Sequence, residues 1–268
     1  MLIKDVVYSK VHGYWCEAPS SRPIPVWSLL GKLCRRRELE LKMDIYTPDL
    51  PGRRPLLLMM HGGAYMIGNK EEKGQVEWCR HFASLGYVAA SIDYRLGLRP
   101  GRGAVARAEK EAVEDAAAAL TFLLQRDDVD PERVFVAGTS AGGAIALSLA
   151  YDPPSNMPPC RIRAVGNLWG YVHDLGILGR ANVPIFSFQS EKDPMVPYDE
   201  GYPLGAKFLM DRCFGTLAVH RQAQSLSIVS EHHSVPEKGH RLHLDAADRL
   251  TPRFYEIRDL LSAFFAEV

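Results

Sequence analysis

The sequence predicts an α/β protein built on a doubly wound, mostly parallel sheet, with antiparallel strands at its N-terminal edge and a small cap or none. Three observations carry this. From residue 55 onward, apolar runs of strand length alternate with helix-length amphipathic stretches, the pattern of parallel strands joined by right-handed crossovers. Upstream, residues 38–46 alternate strictly in polarity, as a strand with one solvated side does. Finally, Gly138-Thr139-Ser140-Ala141-Gly142 joins a β-branched apolar run to a small-residue apolar helix. A turn that sharp leaves no room for β-carbons beside the serine.

The 268 residues, 47% hydrophobic and 24% charged, fit one soluble domain. Lys plus Arg equals Asp plus Glu at 32 each, so no global charge points to nucleic acid or an anionic surface. The cluster Arg35-Arg36-Arg37 is too short for a recognition patch and reads as a solvated loop or strand edge. Five scattered cysteines without C-x-x-C spacing argue against a disulfide framework and a zinc site. The first residues lack a basic region followed by an apolar run, and no window holds about 18 consecutive apolar residues. Neither a signal peptide nor a membrane span is predicted, and the cytoplasm is the expected location.

Residues 1–37 read as an irregular N-terminal segment with a short strand at 6–9, and 38–268 as the folded domain. Residues 38–46 place Leu39, Leu41, Met43 and Ile45 on one face. The continuous apolar run 56–60 predicts a strand buried on both sides. A helix near 75–85, a strand at 88–93 and a long helix over 105–126 follow. Asp130-Pro131 breaks the chain before a strand at 134–138 and a helix at 141–151. A Pro-rich stretch at 152–160 leaves little material for a cap. Strands are expected at 162–169, 184–190 and 226–230, with helices near 203–213 and 250–266.

In such a sheet, chemistry collects at the carboxyl ends of the strands. Four loops there carry suggestive residues: His61-Gly62-Gly63, Ser140, Asp193 and His240. A serine hydroxyl needs a base to take its proton during attack, and imidazole has the pKa for it. His240, after Gly239 beyond the last strand, is the candidate base; His232, His233 and His243 are the alternatives. His240 and His243 with Asp245 also resemble a metal-ligand spacing, but no matched cluster supports it. The base needs an acid to fix its tautomer. Asp193 is the candidate, with Asp174 and Glu191 as alternatives. Backbone N–H groups of Gly62, Gly63 and Ala64, with that of Ala141, are placed to stabilise a developing oxyanion. Tyr65, Trp169, Tyr171 and His173 are candidate pocket residues. Gly101-Arg102-Gly103-Ala104-Val105-Ala106 fits a loose dinucleotide fingerprint, but Pro100 and the long loop deny it a strand end.

Over residues 38–266 the chain resembles small α/β-hydrolase carboxylesterases and lipases, including hormone-sensitive-lipase-like enzymes and bacterial feruloyl and acetyl xylan esterases. The likeness rests on Met43-Asp44-Ile45-Tyr46, His61-Gly62-Gly63-Ala64-Tyr65, Asp93-Tyr94-Arg95-Leu96, Asp130-Pro131, Gly138 to Gly143, and Gly239-His240. It implies Ser140 as nucleophile, Asp193 and His240 as its partners, and an oxyanion hole at Gly62, Gly63, Ala64 and Ala141. It also implies hydrolysis of small-molecule or carbohydrate-linked esters without a cofactor. An amidase or peptidase using the same residues is the alternative within enzymes, and a non-catalytic binding protein the alternative outside them. Ala64 stands where many relatives have a third glycine, which leaves the N–H in place but narrows the room for bulky alcohols.

Overall fold

The computed structural model describes residues 1–13, 37–97, 103–205, 207 and 211–268. Arg35 and Arg36, and the start of the glycine pattern at 101–106, lie outside the described residues.

Residues Leu56 to Met60 are all fully buried, which at about 1.5–3 kcal/mol for each side chain makes their strand a strong anchor. Around this strand, β3 (Arg54–Met60), an eight-stranded sheet forms from β1 (Leu2–Gly13), β2 (Arg37–Tyr46), β4 (Val88–Ile92), β5 (Val129–Thr139), β6 (Ile162–Leu168), β7 (Ile185–Ser190) and β8 (Ser230–Val235). The spatial order is β1-β2-β4-β3-β5-β6-β7-β8. Strand β2 pairs antiparallel with both β1 and β4, and the remaining pairs are parallel.

Among the described residues, five α-helices cover the sheet: α1 (Lys73–Ser84), α2 (Ala104–Leu123), α3 (Ala141–Tyr151), α4 (Thr216–Ser225) and α5 (Pro252–Glu267). Side-chain alternation along β3 splits the core. Leu56, Leu58 and Met60 pack with α2, α3 and α4, while Leu57 and Met59 pack with α1 and α5. The second layer is aromatic, with Trp78 and Phe82 of α1 against Phe254 and Phe265 of α5. No helix among the described residues is long and apolar enough to cross a membrane.

Three expectations need correction. The short strand at 6–9 extends over Leu2–Gly13 and forms the sheet edge, so the strand at 38–46 is second from the edge. Its other face is covered too: Asp44 is buried against Lys70 at 2.8 Å, and Tyr46 packs with Trp78, Cys79 and Phe82. The helix expected near 203–213 is not formed where the chain is described: a kinked turn at Pro203–Gly205 leads to a two-residue ladder between Glu200–Gly201 and Cys213–Phe214. The helix begins at Thr216, and the last strand runs Ser230–Val235 rather than 226–230. Leu226 instead forms the C-cap of α4, and Ile228 packs into the core beyond it.

Candidate active site

Ser140 is the residue between β5 and α3, with φ 54° and ψ −118°. A positive φ on serine costs about 1–3 kcal/mol and persists only where packing enforces it. The enforcement is visible. A Cβ on Gly142 would lie 2.2 Å from Met60 O, and one on Gly138 would lie 2.3 Å from Gly142 C. The two glycines let the start of α3 press against the ends of β3 and β5. Ser140 N–H then donates to Leu168 O at 2.8 Å, and Ser140 O accepts from Gly143 N–H at 2.9 Å.

Ser140 Oγ lies 2.9 Å from His240 Nε2. On the other side of the ring, His240 Nδ1 is 2.7 Å from Asp193 Oδ2 and 3.0 Å from Asp193 Oδ1. An ionised carboxylate only accepts, so Nδ1 carries the proton and Nε2 faces the serine hydroxyl as acceptor. The Asp193 side chain is fully buried, and Oδ1 also accepts from the N–H groups of Met195 at 2.8 Å and Val196 at 3.1 Å. The alternatives sit elsewhere. Asp174 accepts from Gly176 N–H and caps a short 3-10 turn, and Glu191 accepts from the Ser234 hydroxyl. His233 contacts Glu231. His243 is buried between Trp78 and Trp169, with ring centroids 5.2 and 4.8 Å away, and burial lowers its pKa to about 3.

The segment from His61 to Gly68 folds over the serine. A Cβ on Gly62 would lie 3.2 Å from Ser140 Cβ, and one on Gly63 only 2.0 Å from Ile67 O. Ala64 and Tyr65 continue the turn at φ 53° and 62°. The buried His61 ring holds this turn: Nδ1 donates to Gly62 O at 2.6 Å, and the ring stacks on Tyr94 at 4.3 Å. Burial lowers the His61 pKa to about 4, keeping the ring neutral. Tyr94 also donates to His61 O at 2.8 Å. Its neighbour Arg95 pairs with the buried Asp115 of α2 at 2.8 Å. The Asp93-Tyr94-Arg95 motif thus braces the glycine turn from behind. Ala141 opens α3, so its N–H belongs to the first turn, where no carbonyl precedes it.

A cavity of about 300 Å³ opens onto Ser140 and His240. Met66, Ile67, Trp169, Met195 and Leu204 give it apolar walls, while Glu72 and Arg241 supply charge. Of the four pocket residues expected from sequence, Trp169 lines this cavity. Tyr65 and Tyr171 are instead buried with their hydroxyls 3.2 Å apart. His173 faces a separate depression, with Nε2 3.4 Å from Glu109. Trp169 has φ 47°, and that turn at the end of β6 decides which of the following side chains reaches the serine. Glu72, Met195 and Leu204 carried no sequence signal, because they arrive from loops and a helix end rather than from a motif.

Residues 43–157 match the BD-FAE family model, a span that holds the glycine turn and Ser140 but ends before Asp193 and His240. Gut esterase 1 of Caenorhabditis elegans is 30% identical over 118 residues, covering 42% of this chain and 21% of that protein. The 5-methylorsellinic acid synthase of Aspergillus terreus is 33% identical over 146 residues, covering 47% of this chain and 5% of the synthase. The chain therefore spans about a fifth or less of the length of these curated relatives. Among solved structures, a butyrate-bound thermophilic esterase from Thermogutta terrifontis superposes with TM-score 0.65 at 18% identity, covering 85% of this chain and 90% of that one. The same esterase 2, phosphorylated by paraoxon, superposes with TM-score 0.63 at 19% identity, over 85% and 89% of the two chains. With its strand order, its serine turn and these likenesses, the chain has the α/β-hydrolase fold, and its residues 43–157 are similar to the BD-FAE family.

Proposed function

We propose that the protein is a serine hydrolase that cleaves carboxylic esters of short acyl groups through an acyl-enzyme at Ser140. The observation that carries this is the continuous contact Ser140–His240–Asp193, at 2.9 and 2.7 Å. The esters named in the resemblance, the esterases among the relatives and the apolar cavity support the choice of substrate.

Ser140 Oγ attacks the ester carbonyl carbon while His240 Nε2 takes the hydroxyl proton. The carbonyl π electrons move onto oxygen, where the N–H groups of Gly62, Gly63, Ala64 and Ala141 are the candidate donors. One such donor is typically worth about 2.7–4 kcal/mol in the transition state. When the C–O bond to the alcohol breaks, His240 returns its proton to the departing oxygen. Water then loses a proton to His240 and attacks the acyl carbon; the bond from that carbon to Ser140 Oγ breaks, and His240 passes the proton to Oγ as the acid departs. Asp193 stays ionised throughout and stabilises the imidazolium formed in each half.

The test compares kcat/KM on p-nitrophenyl esters from acetate to palmitate, with methyl ferulate, acetylated xylan and the anilide of butyric acid alongside. We expect the best turnover on a short-chain p-nitrophenyl ester. A preference for the anilide over the matched ester would replace ester by amide hydrolysis.

A further inference from the structure

Behind Asp193 lies a run of polar side chains to which the reaction above gives no part. Gln189, on β7, is fully buried. Its Nε2 donates to Val196 O at 2.9 Å and lies 3.3 Å from Asp193 Oδ2. Its Oε1 accepts from Thr216 N–H at 3.1 Å and from the Thr216 hydroxyl at 2.9 Å. A backbone N–H only donates and a carbonyl only accepts, so these partners fix the orientation of the amide and turn its NH2 toward Asp193. Thr216, the first residue of α4, is also fully buried. With its proton on Gln189, its oxygen is left to accept from His232 Nε2, 3.1 Å away. His232 is half-buried and stacks on His220 at 5.2 Å, with burial as the main cause of a pKa lowered to about 4. Every donor along this run meets an acceptor.

We propose that Gln189, Thr216 and His232 form a positioning chain that sets the carboxylate of Asp193 and, through it, the tautomer and angle of His240. The inference rests on the reading of Ser140, His240 and Asp193 as the reacting residues. Asp193 Oδ1 is held by two backbone N–H groups, whereas among the described residues Oδ2 meets His240 and Gln189 alone. Without Gln189, the carboxylate stays anchored through Oδ1, but Oδ2 is left to the imidazole that it has to orient. Thr216 and His232 act one step further out by holding the Gln189 amide.

The experiment uses the full chain and the variants Gln189→Met, Thr216→Val and Thr216→Ser. Three readouts are taken: kcat and KM on p-nitrophenyl butyrate, the second-order rate of fluorophosphonate labelling, and the downfield proton NMR signal of His240 Nδ1–H. Gln189→Met is expected to lower kcat about tenfold, the size of one lost hydrogen bond to a charged group, with KM within a factor of about two. Thr216→Val should show a smaller fall of the same kind, a slower labelling rate and a shifted or broadened downfield signal. Thr216→Ser, which keeps the hydroxyl, should restore all three. If Gln189→Met does not fold, the Thr216 pair decides. The proposal is overturned if Thr216→Val keeps the wild-type kcat, labelling rate and downfield signal, or loses only thermal stability. A wild-type chain that neither turns over the ester nor labels would instead refute the ester-hydrolase reading. The downfield signal of the variants would then decide the positioning chain by itself.

Discussion

Ser140 Oγ and His240 Nε2 meet at 2.9 Å across a separation of 100 positions in the chain. Ser140 follows β5, and His240 lies in the loop after β8, three strands further along the sheet. Neighbouring strands lie about 4.8 Å apart, so that loop reaches back roughly 14 Å over β6 and β7. Asp193, at the end of β7, stands on the way and receives the ring. The loop is tied at its base, where the Ser190 hydroxyl donates to Glu237 O.

The assignment of the acid separates two aspartates. Asp193→Asn presents a donor where His240 needs an acceptor, and kcat should fall by roughly 10⁴-fold with little change in KM. Asp174→Asn, at the turn after β6, should leave kcat within a factor of about two. Steady-state kinetics on p-nitrophenyl butyrate checks both, and the reverse ranking would move the acid to Asp174.

Much of this site was legible in the sequence because each motif is a steric or chemical necessity. The helix expected at 141–151 has those bounds, since Ser140 breaks the strand and small residues must follow it under the sheet. The run at 56–60 showed its two-sided burial in its composition. The edges were harder. In β1 only Tyr8 and Gly13 are buried and the pairing with β2 shifts register twice, so no clean alternation marks it. The last strand is expected four residues early, at 226–230 rather than 230–235. The half-buried polar side chains of Ser230-Glu231-His232-His233-Ser234 are satisfied by partners from distant segments, among them Thr216 and Glu191, and leave no apolar run. Tyr171 and His173 failed as pocket residues for a related reason: the direction of the chain after Trp169 is a tertiary property.

The turn over Ser140 offers a test of substrate scope. Ala64 lines the cavity with a positive φ, and its Cβ adds bulk beside the backbone N–H. Ala64→Gly keeps the N–H, suits the backbone conformation and clears that space. Turnover of tert-butyl acetate relative to ethyl acetate should rise in the variant. An unchanged ratio would place the limit on bulky alcohols elsewhere in the cavity.

Glu72 gives the protein a pH signature. Burial raises its carboxyl from the ordinary 4.5 to about 7, with nearby Arg241 opposing the shift. Between those values the folded chain holds a proton that the unfolded chain has released, so this group erodes stability as pH rises from about 4.5 through 7. Glu72→Gln removes that ionisation. Its gain in Tm over the wild type should be larger at pH 8 than at pH 5 in thermal denaturation. Equal gains at both would show that the carboxyl titrates normally.

The tight approach of α3 to the sheet is tested by Gly142→Ala. The new methyl would meet Met60 O, a backbone atom that cannot rotate away. Urea denaturation should show a loss of about 1–3 kcal/mol, and the turnover of the folded fraction should fall as Ser140 shifts. A variant as stable and active as the wild type would mean that the turn at Ser140 is looser than these contacts require.

The central claim is that Ser140 is the nucleophile and that the contact with His240 activates it. Its most direct test is fluorophosphonate labelling followed by intact-mass and peptide mass spectrometry. We expect one equivalent of label, located on Ser140, none on Ser140→Ala, and labelling slowed by orders of magnitude in His240→Ala. Label on another residue, or a folded wild-type chain that takes up none, would contradict the account.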